Sequence, residues 1–123
     1  MSAFLGFEVT EIGDDFLSGR IPVTERTRQP YGILHGGASI MLAETLGSIA
    51  SHYCIDSGKF SAVGLEVNGN HLRQVRQGWI HGTARPIHLG RKTHVWDIRI
   101  VDDEGRLIHA GRLTTAIIER PLG

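Results

Sequence analysis

Residues 29–54 read QPYGILHGGASIMLAETLGSIASHYC, and the reading of this stretch decides the fold. It opens as a Pro/Gly loop, passes through His35-Gly36-Gly37, and settles into a helical pattern that runs from Gly36 to somewhere between Ser51 and Ile55. Leu42, Leu46, Ile49 and Tyr53, with Met41 and Thr45 beside them, recur at the three/four spacing of one apolar face. Glu44, Ser48 and Ser51 stand at i, i+4 and i+7 and share another face. Asp56-Ser57-Gly58 supplies a stop, with Gly58 available for a left-handed cap. No Lys or Arg falls between Gly32 and Gly58, so Glu44 sits among apolar and small neighbours with no basic partner in sequence. Most helix glutamates are solvated, and the macrodipole favours one in the N-terminal half. A carboxylate in this setting is also one available for acid/base or nucleophilic work.

Working outward, residues 7–12 place Phe7, Val9 and Ile12 near one face, Gly13-Asp14-Asp15 turns the chain, and residues 16–23 resume an extended pattern: a β-hairpin. Pro22 cannot donate a ladder hydrogen bond, which puts that second strand at an edge or puts Pro22 near its end. Residues 24–35 are polar, basic and broken by Pro30 and Gly32, a loop long enough to suggest function. After the helix come extended segments at residues 62–75, 79–87 (broken by Pro86), 93–101 and 106–119, parted by turns at Gln77-Gly78, Leu89-Gly90 and Asp102-Asp103-Glu104-Gly105. Two strands, a long helix and four strands predict an α+β domain over residues 1–123, a curved antiparallel sheet of about five or six strands wrapped on one central helix. One helix covers one sheet face, so the remaining apolar surface predicts a homo-oligomer.

Bulk properties narrow the function classes. The chain has 123 residues, 41% hydrophobic and 21% charged, with 13 basic against 13 acidic residues, an ordinary globular balance with no net field to draw nucleic acid or an anionic membrane. Cys54 is the one cysteine, so no internal disulfide forms and a cytoplasmic compartment is expected. Its place at a helix end, without a base nearby in sequence, reads as a small buried hydrophobe rather than a nucleophile. The N-terminus lacks the pattern of a secretory leader, and no run reaches the roughly 18 apolar residues of a membrane span. Seven histidines scatter without His-Glu-x-x-His or Cys-x-x-Cys spacing, so no metal site is expected.

The chemistry-bearing residues cluster around the helix start. Glycine there lets a ligand approach bare amides at the positive end of the dipole, and a backbone N–H there can polarise a carbonyl. Glu44 lies about 12 Å further along at 1.5 Å per residue, so the amide and carboxylate of one copy need not serve the same substrate atom, which leaves room for a site shared across a dimer. Ser48, one turn beyond, can bond Glu44 or a water, and Gln29 can donate from its amide. His71 stands with Asn70 amid the alternation of a strand.

The run Gln29-Pro30-x-Gly32-x-x-His35-Gly36-Gly37-Ala38-Ser39-x-x-Leu42-Ala43-Glu44-x-x-Gly47-Ser48 resembles the signature of the hotdog-fold acyl-CoA thioesterases of the phenylacetate/4-hydroxybenzoyl-CoA type. It is most similar to the subgroup acting on 1,4-dihydroxy-2-naphthoyl-CoA in menaquinone synthesis and to its siderophore-proofreading relative. Val63-Gly64-Leu65-Glu66, Asn70-His71, Pro86-x-His88-Leu89-Gly90 and Arg112-Leu113-Thr114-Thr115-Ala116 also match, so the likeness spans nearly the whole chain. The resemblance implies Glu44 as catalytic carboxylate, nucleophile or general base, with the Gly36 amide on the thioester carbonyl. It implies that Gln29, His35, Ser48 and His71 position the thioester and water. Val63, Asn70, His71, Leu72 and Arg73, with Ile87, His88, Leu89, Gly90, Arg91 and Lys92, would hold the pantetheine arm and phosphates of CoA. Tyr31, Ile33, Leu34, Ile40, Met41 and Phe60 are candidates for the acyl pocket. The implied substrate is an acyl-CoA or acyl-carrier-protein thioester, hydrolysed without a cofactor by an assembly of at least a dimer, with a tetramer preferred. Two other readings stand beside it. A hydratase or dehydratase on the same fold pairs a loop histidine with a helix carboxylate, and a non-catalytic module would bind acyl-CoA without turning it over.

Overall fold

The computed structural model describes residues 5–120; residues 1–4, within the segment read as lacking a leader, and 121–123 lie outside it. In chain order the elements are β1 (Glu8–Ile12), β2 (Leu17–Pro22), α1 (Gly36–Tyr53), β3 (Phe60–His71), β4 (Trp79–Leu89), β5 (Thr93–Asp102) and β6 (Leu107–Glu119). The strands form one antiparallel sheet in the order β1-β2-β4-β5-β6-β3. This is the α+β hotdog arrangement expected, with α1 lying in the curve of the sheet.

The hairpin between β5 and β6 shows why the strands fall where they do. The Asp102 carboxylate accepts from the backbone N–H groups of Glu104 and Arg106 and from Arg106 Nε at 2.8 Å, and Gly105 takes the left-handed turn at φ 80°. Burial alone would raise the Asp102 carboxyl, but those bonds and the Arg106 charge outweigh it and hold it below the usual range. Pro22 is the last residue of β2, an interior strand, opposite Trp79. Pro86 does not end β4, which continues to Leu89 through a register shift between Pro86 and His88.

The core lies between α1 and the concave face. Leu42 and Leu46 are fully buried against the sheet with Ile21, Ile80, Ile98, Ile100 and Leu113, each leucine contributing about 1.5–3 kcal/mol. A Cβ on Gly82 of β4 would lie 2.6 Å from Leu46 Cδ1, so its absence sets how closely α1 seats on the sheet.

Several local expectations are corrected. Tyr53 falls at the right azimuth but is 64% exposed, at the last residue of α1. Ser51 is fully buried while Glu44 on the same face is exposed. Glu44 stands over the edge strand β3 and Ser51 over β5 and β6, so one face meets different surroundings along its length. The buried stripe is instead Ala38, Ser39, Leu42, Ala43, Leu46, Gly47, Ala50 and Ser51. Gly58 does not take a left-handed conformation; the helix stops through Cys54 N donating to Ser51 O, and Asp56 Oδ1 accepts from Gly58 N. Cys54 is exposed rather than buried, and desolvation by nearby protein raises its thiol. In β1, Val9 and Ile12 are exposed, a register shift falls between Val9 and Glu11, and Phe7, just ahead of the strand, packs on the core. β3 ends at His71, four residues short of the extended pattern. No helix among the described residues is long and apolar enough to cross a membrane.

Candidate active site

The loop into α1 is tied at every few residues. Thr27 Oγ1, buried, accepts from Thr24 N and donates to the Pro22 and Thr24 carbonyls. Leu34 N donates to Val75 O, His35 N to Thr27 O, and Arg28 Nε to Arg76 O. Gly32, at φ 82°, closes a turn in which Gly32 N donates to Gln29 O and Gln29 N to Ile33 O. Long loops held this firmly in compact domains position function rather than wander.

His35 caps the helix: its Nδ1 accepts from Gly37 N at 2.8 Å. That fixes the proton of a neutral His35 on Nε2 and leaves the Gly36 N–H, the first of the helix, without a helical acceptor. Around this amide opens a pocket of about 430 Å³ lined by Gln29, Ile33, Leu34, His35, Gly36 and Ser39 on one side and by His71, Leu72, Arg73, Gln74 and Ile108 on the other. The Gln29 side-chain oxygen is engaged by the Tyr31 N–H, which leaves its NH₂ as the group to offer a ligand. A Cβ on Gly36 would lie 2.8 Å from His71 Nε2, so glycine is what lets the histidine ring stand over the helix start.

Of the residues proposed for catalysis, this pocket gathers Gln29, His35, Gly36 and His71. Glu44 and Ser48 do not line it. Glu44 is exposed and borders a separate depression with Gly64, Leu65, Glu66, Val67 and Leu113; its own chain does not give it the apolar enclosure inferred from its neighbours. Ser48 is half-buried one turn on.

The substrate-contact candidates divide in the same way. Leu72 and Arg73 sit at the pocket, with Asn70 exposed beside them on β3. Leu89, Gly90, Arg91 and Lys92 border a second depression of about 790 Å³ near Cys54 and Phe60, at the far end of the sheet. Ile87 and His88 are exposed on that same stretch of β4, and Val63 is exposed midway along β3. The two ends are separated by most of β3, roughly 36 Å for twelve residues. Ile33 and Leu34 line the helix-start pocket, Tyr31 is fully exposed, Ile40 and Met41 are half-buried on α1, and Phe60 lies at the other end.

Sequence reading missed Ser39, Gln74, Ile108 and, behind the pocket, His109. His109 is fully buried on β6, pairs with His71 in register, and places its Nδ1 3.1 Å from His71 Nδ1. Burial first, and then His71, lowers its pKa from the ordinary histidine value. Among the described residues no three His, Cys, Asp or Glu side chains converge as a metal would require.

Comparison with known proteins agrees with this architecture. The sequence profile of the Thioesterase superfamily matches residues 31–109. The 1,4-dihydroxy-2-naphthoyl-CoA hydrolase of Escherichia coli is 49% identical over 118 residues, covering 96% of this chain and 86% of that protein. Proofreading thioesterase EntH of Cronobacter turicensis is 47% identical over 114 residues, 93% of this chain and 82% of its own. The crystal structure of a mutant thioesterase from Pseudomonas aeruginosa superposes with a TM-score of 0.96 at 49% identity, covering 97% of this chain and 86% of that one. With the profile spanning more than half of its length and relatives near half identical over most of theirs, the chain belongs to the Thioesterase superfamily and is a hotdog-fold thioester hydrolase.

Proposed function

We propose that the protein hydrolyses the thioester of an aromatic acyl group, such as a 1,4-dihydroxy-2-naphthoyl or hydroxybenzoyl group, carried on CoA or on an acyl carrier protein. One observation carries this reading: an unbonded N–H at a helix start opens into a pocket with Gln29, His35 and His71 around it. The Gly36 N–H donates to the thioester oxygen as negative charge develops there. Glu44 either attacks the carbonyl carbon, forming an anhydride that water then opens, or takes a proton from the attacking water. The leaving thiolate has a conjugate acid near the ordinary thiol value of about 8.5, so it departs with little protonation. Neither metal nor cofactor is required. The two 1,4-dihydroxy-2-naphthoyl and proofreading relatives support a place in quinone or siderophore synthesis, and one cysteine in the chain supports cytoplasmic residence.

The working unit in this reading is a homodimer at least, and a tetramer by extension. β3 is an edge strand of 12 residues, without Lys or Pro, exposing Val63 and a Leu65 that bulges out of register at 61% exposure. Such an edge calls for a partner. Antiparallel pairing of two β3 edges about a two-fold brings the His71 end of one copy beside the Phe60 end of the other. It then unites Asn70–Arg73 with the partner's basic turn, and Glu44 with the partner's pocket.

The test is release of free thiol from a panel of aryl- and alkyl-CoA thioesters. Wild type turns over, and Glu44→Ala falls by about 10²–10⁴-fold; equal rates would sink the assignment, and water addition to an enoyl-CoA without thiol release would favour the hydratase. Mixing Glu44→Ala with His71→Ala restores about a quarter of wild-type activity if each site draws one residue from each copy, and none if both come from one chain.

A further inference from the structure

β3 and β6 each contribute a histidine to the wall behind the helix start, and only one of the two faces the pocket. His71 lines it, while His109 is sealed beneath. Their Nδ1 atoms lie 3.1 Å apart, a contact in which one ring donates and the other accepts. Which does so is decided by the far side of His109. Its Nε2 is buried and has no partner among the described residues. A Cβ on Gly69 would lie 2.4 Å from that nitrogen, so β3 backbone packs directly on it.

A buried N–H left without an acceptor is rarer in folded proteins than an acceptor left bare. The proton of neutral His109 therefore sits on Nδ1, where it has His71 to bond, and the orphaned Nε2 is a bare lone pair. His71 must then accept at Nδ1, and its own proton is confined to Nε2. That nitrogen is the one standing over Gly36, 2.8 Å from where a Cβ there would be.

We propose that His109 is a positioning residue that locks His71 in the Nε2–H tautomer, so that His71 serves as a hydrogen-bond donor into the pocket beside the Gly36 N–H and not as a base. The lock follows from the two rings alone; its use, a second donor to the thioester oxygen, rests on the hydrolase reading above. Two donors from different elements converging on one oxygen are what a tetrahedral oxyanion demands. The lowered affinity of buried His109 for a proton keeps that ring neutral, with its one N–H turned toward His71.

Proton-detected ¹⁵N correlation spectra of the histidine rings in the wild-type homo-oligomer read the tautomers directly. The expected result is His71 protonated on Nε2 with a bare Nδ1, and His109 the reverse; His71 protonated on Nδ1 overturns the proposal, with or without any activity. In kinetics, His109→Leu lowers kcat by about tenfold or more with KM little changed, and its His71 becomes a mixture of tautomers. His109→Asn, whose side-chain NH₂ can donate near the same point, recovers most of kcat. An Asn variant as slow as the Leu variant, at equal melting temperature, counts against the lock. If His109→Leu fails to fold, the wild-type spectrum decides alone. If the wild type releases no thiol from any thioester, the hydrolase reading fails while the tautomer result stands.

Discussion

The two ends of α1 both meet a buried histidine on the sheet, yet they are finished differently. At the C-terminal end Ser51 Oγ receives Trp96 Nε1–H at 2.7 Å and lies 2.9 Å from both Thr115 Oγ1 and His94 Nδ1. One proton and two lone pairs close that account: the hydroxyl accepts from Trp96, donates to one of His94 and Thr115, and accepts from the other. At the N-terminal end the Gly36 N–H, His71 Nε2 and His109 Nε2 carry no partner from the described residues, and the first two face a pocket. A completed buried network ties helix to sheet; one left open at the surface is built to receive a ligand.

Substitutions at the two ends should therefore separate activity from stability. The largest expected effect is from Gly36→Ala, whose Cβ collides with His71 Nε2: kcat for thioester hydrolysis falls by about 10²-fold while the melting temperature changes little. Ser51→Ala should do the opposite, costing about 1–3 kcal/mol because it strands the Trp96 indole N–H, with kcat unaltered. Denaturant melts alongside thiol-release assays check both, and a Ser51→Ala enzyme that is stable but slow would break the contrast.

A smaller effect sharpens it. His94 is held below the ordinary histidine value, by burial first and then by His88, and His109 likewise, by burial and then His71. For such groups the unfolded chain binds protons more readily than the folded one. Their contribution is whole above the unfolded value of about 6.5 and is lost as pH falls below it toward their folded values. Urea midpoints at pH 7.5 and pH 5 should show that decline, and His94→Gln or His109→Asn should each flatten it. The smallest effect lies at neither end: Glu8→Ala, removing an exposed ion pair to Arg20 at 3.3 Å, should cost only about 0.2–1 kcal/mol.

The helix, its start and the order of strands were legible because they rest on local rules. His35-Gly36-Gly37 marks a helix entry, and Asp102 to Gly105 is a turn whatever surrounds it. The face of α1 was harder. Glu44 and Ser51 are nearly superimposed in projection, and only the path of the helix over the sheet exposes one and buries the other. The family resemblance implies that His35 positions the substrate and says nothing of its capping bond to Gly37 N. His109 carried no local signal, since it meets His71 across 38 residues of sequence solely through the register of β3 on β6.

By itself the sequence determined that one amphipathic helix with a carboxylate would lie against an antiparallel sheet, because period and turn chemistry are properties of neighbours along the chain. The tertiary structure alone decided that Gly36 and His71 share a pocket while Glu44 looks outward over the β3 edge. It also decided that the two groups of candidate CoA contacts stand at opposite ends of the sheet. The physical reason is that strand register and helix placement are fixed by burial summed over the whole core, which brings residues together without regard to their separation in sequence.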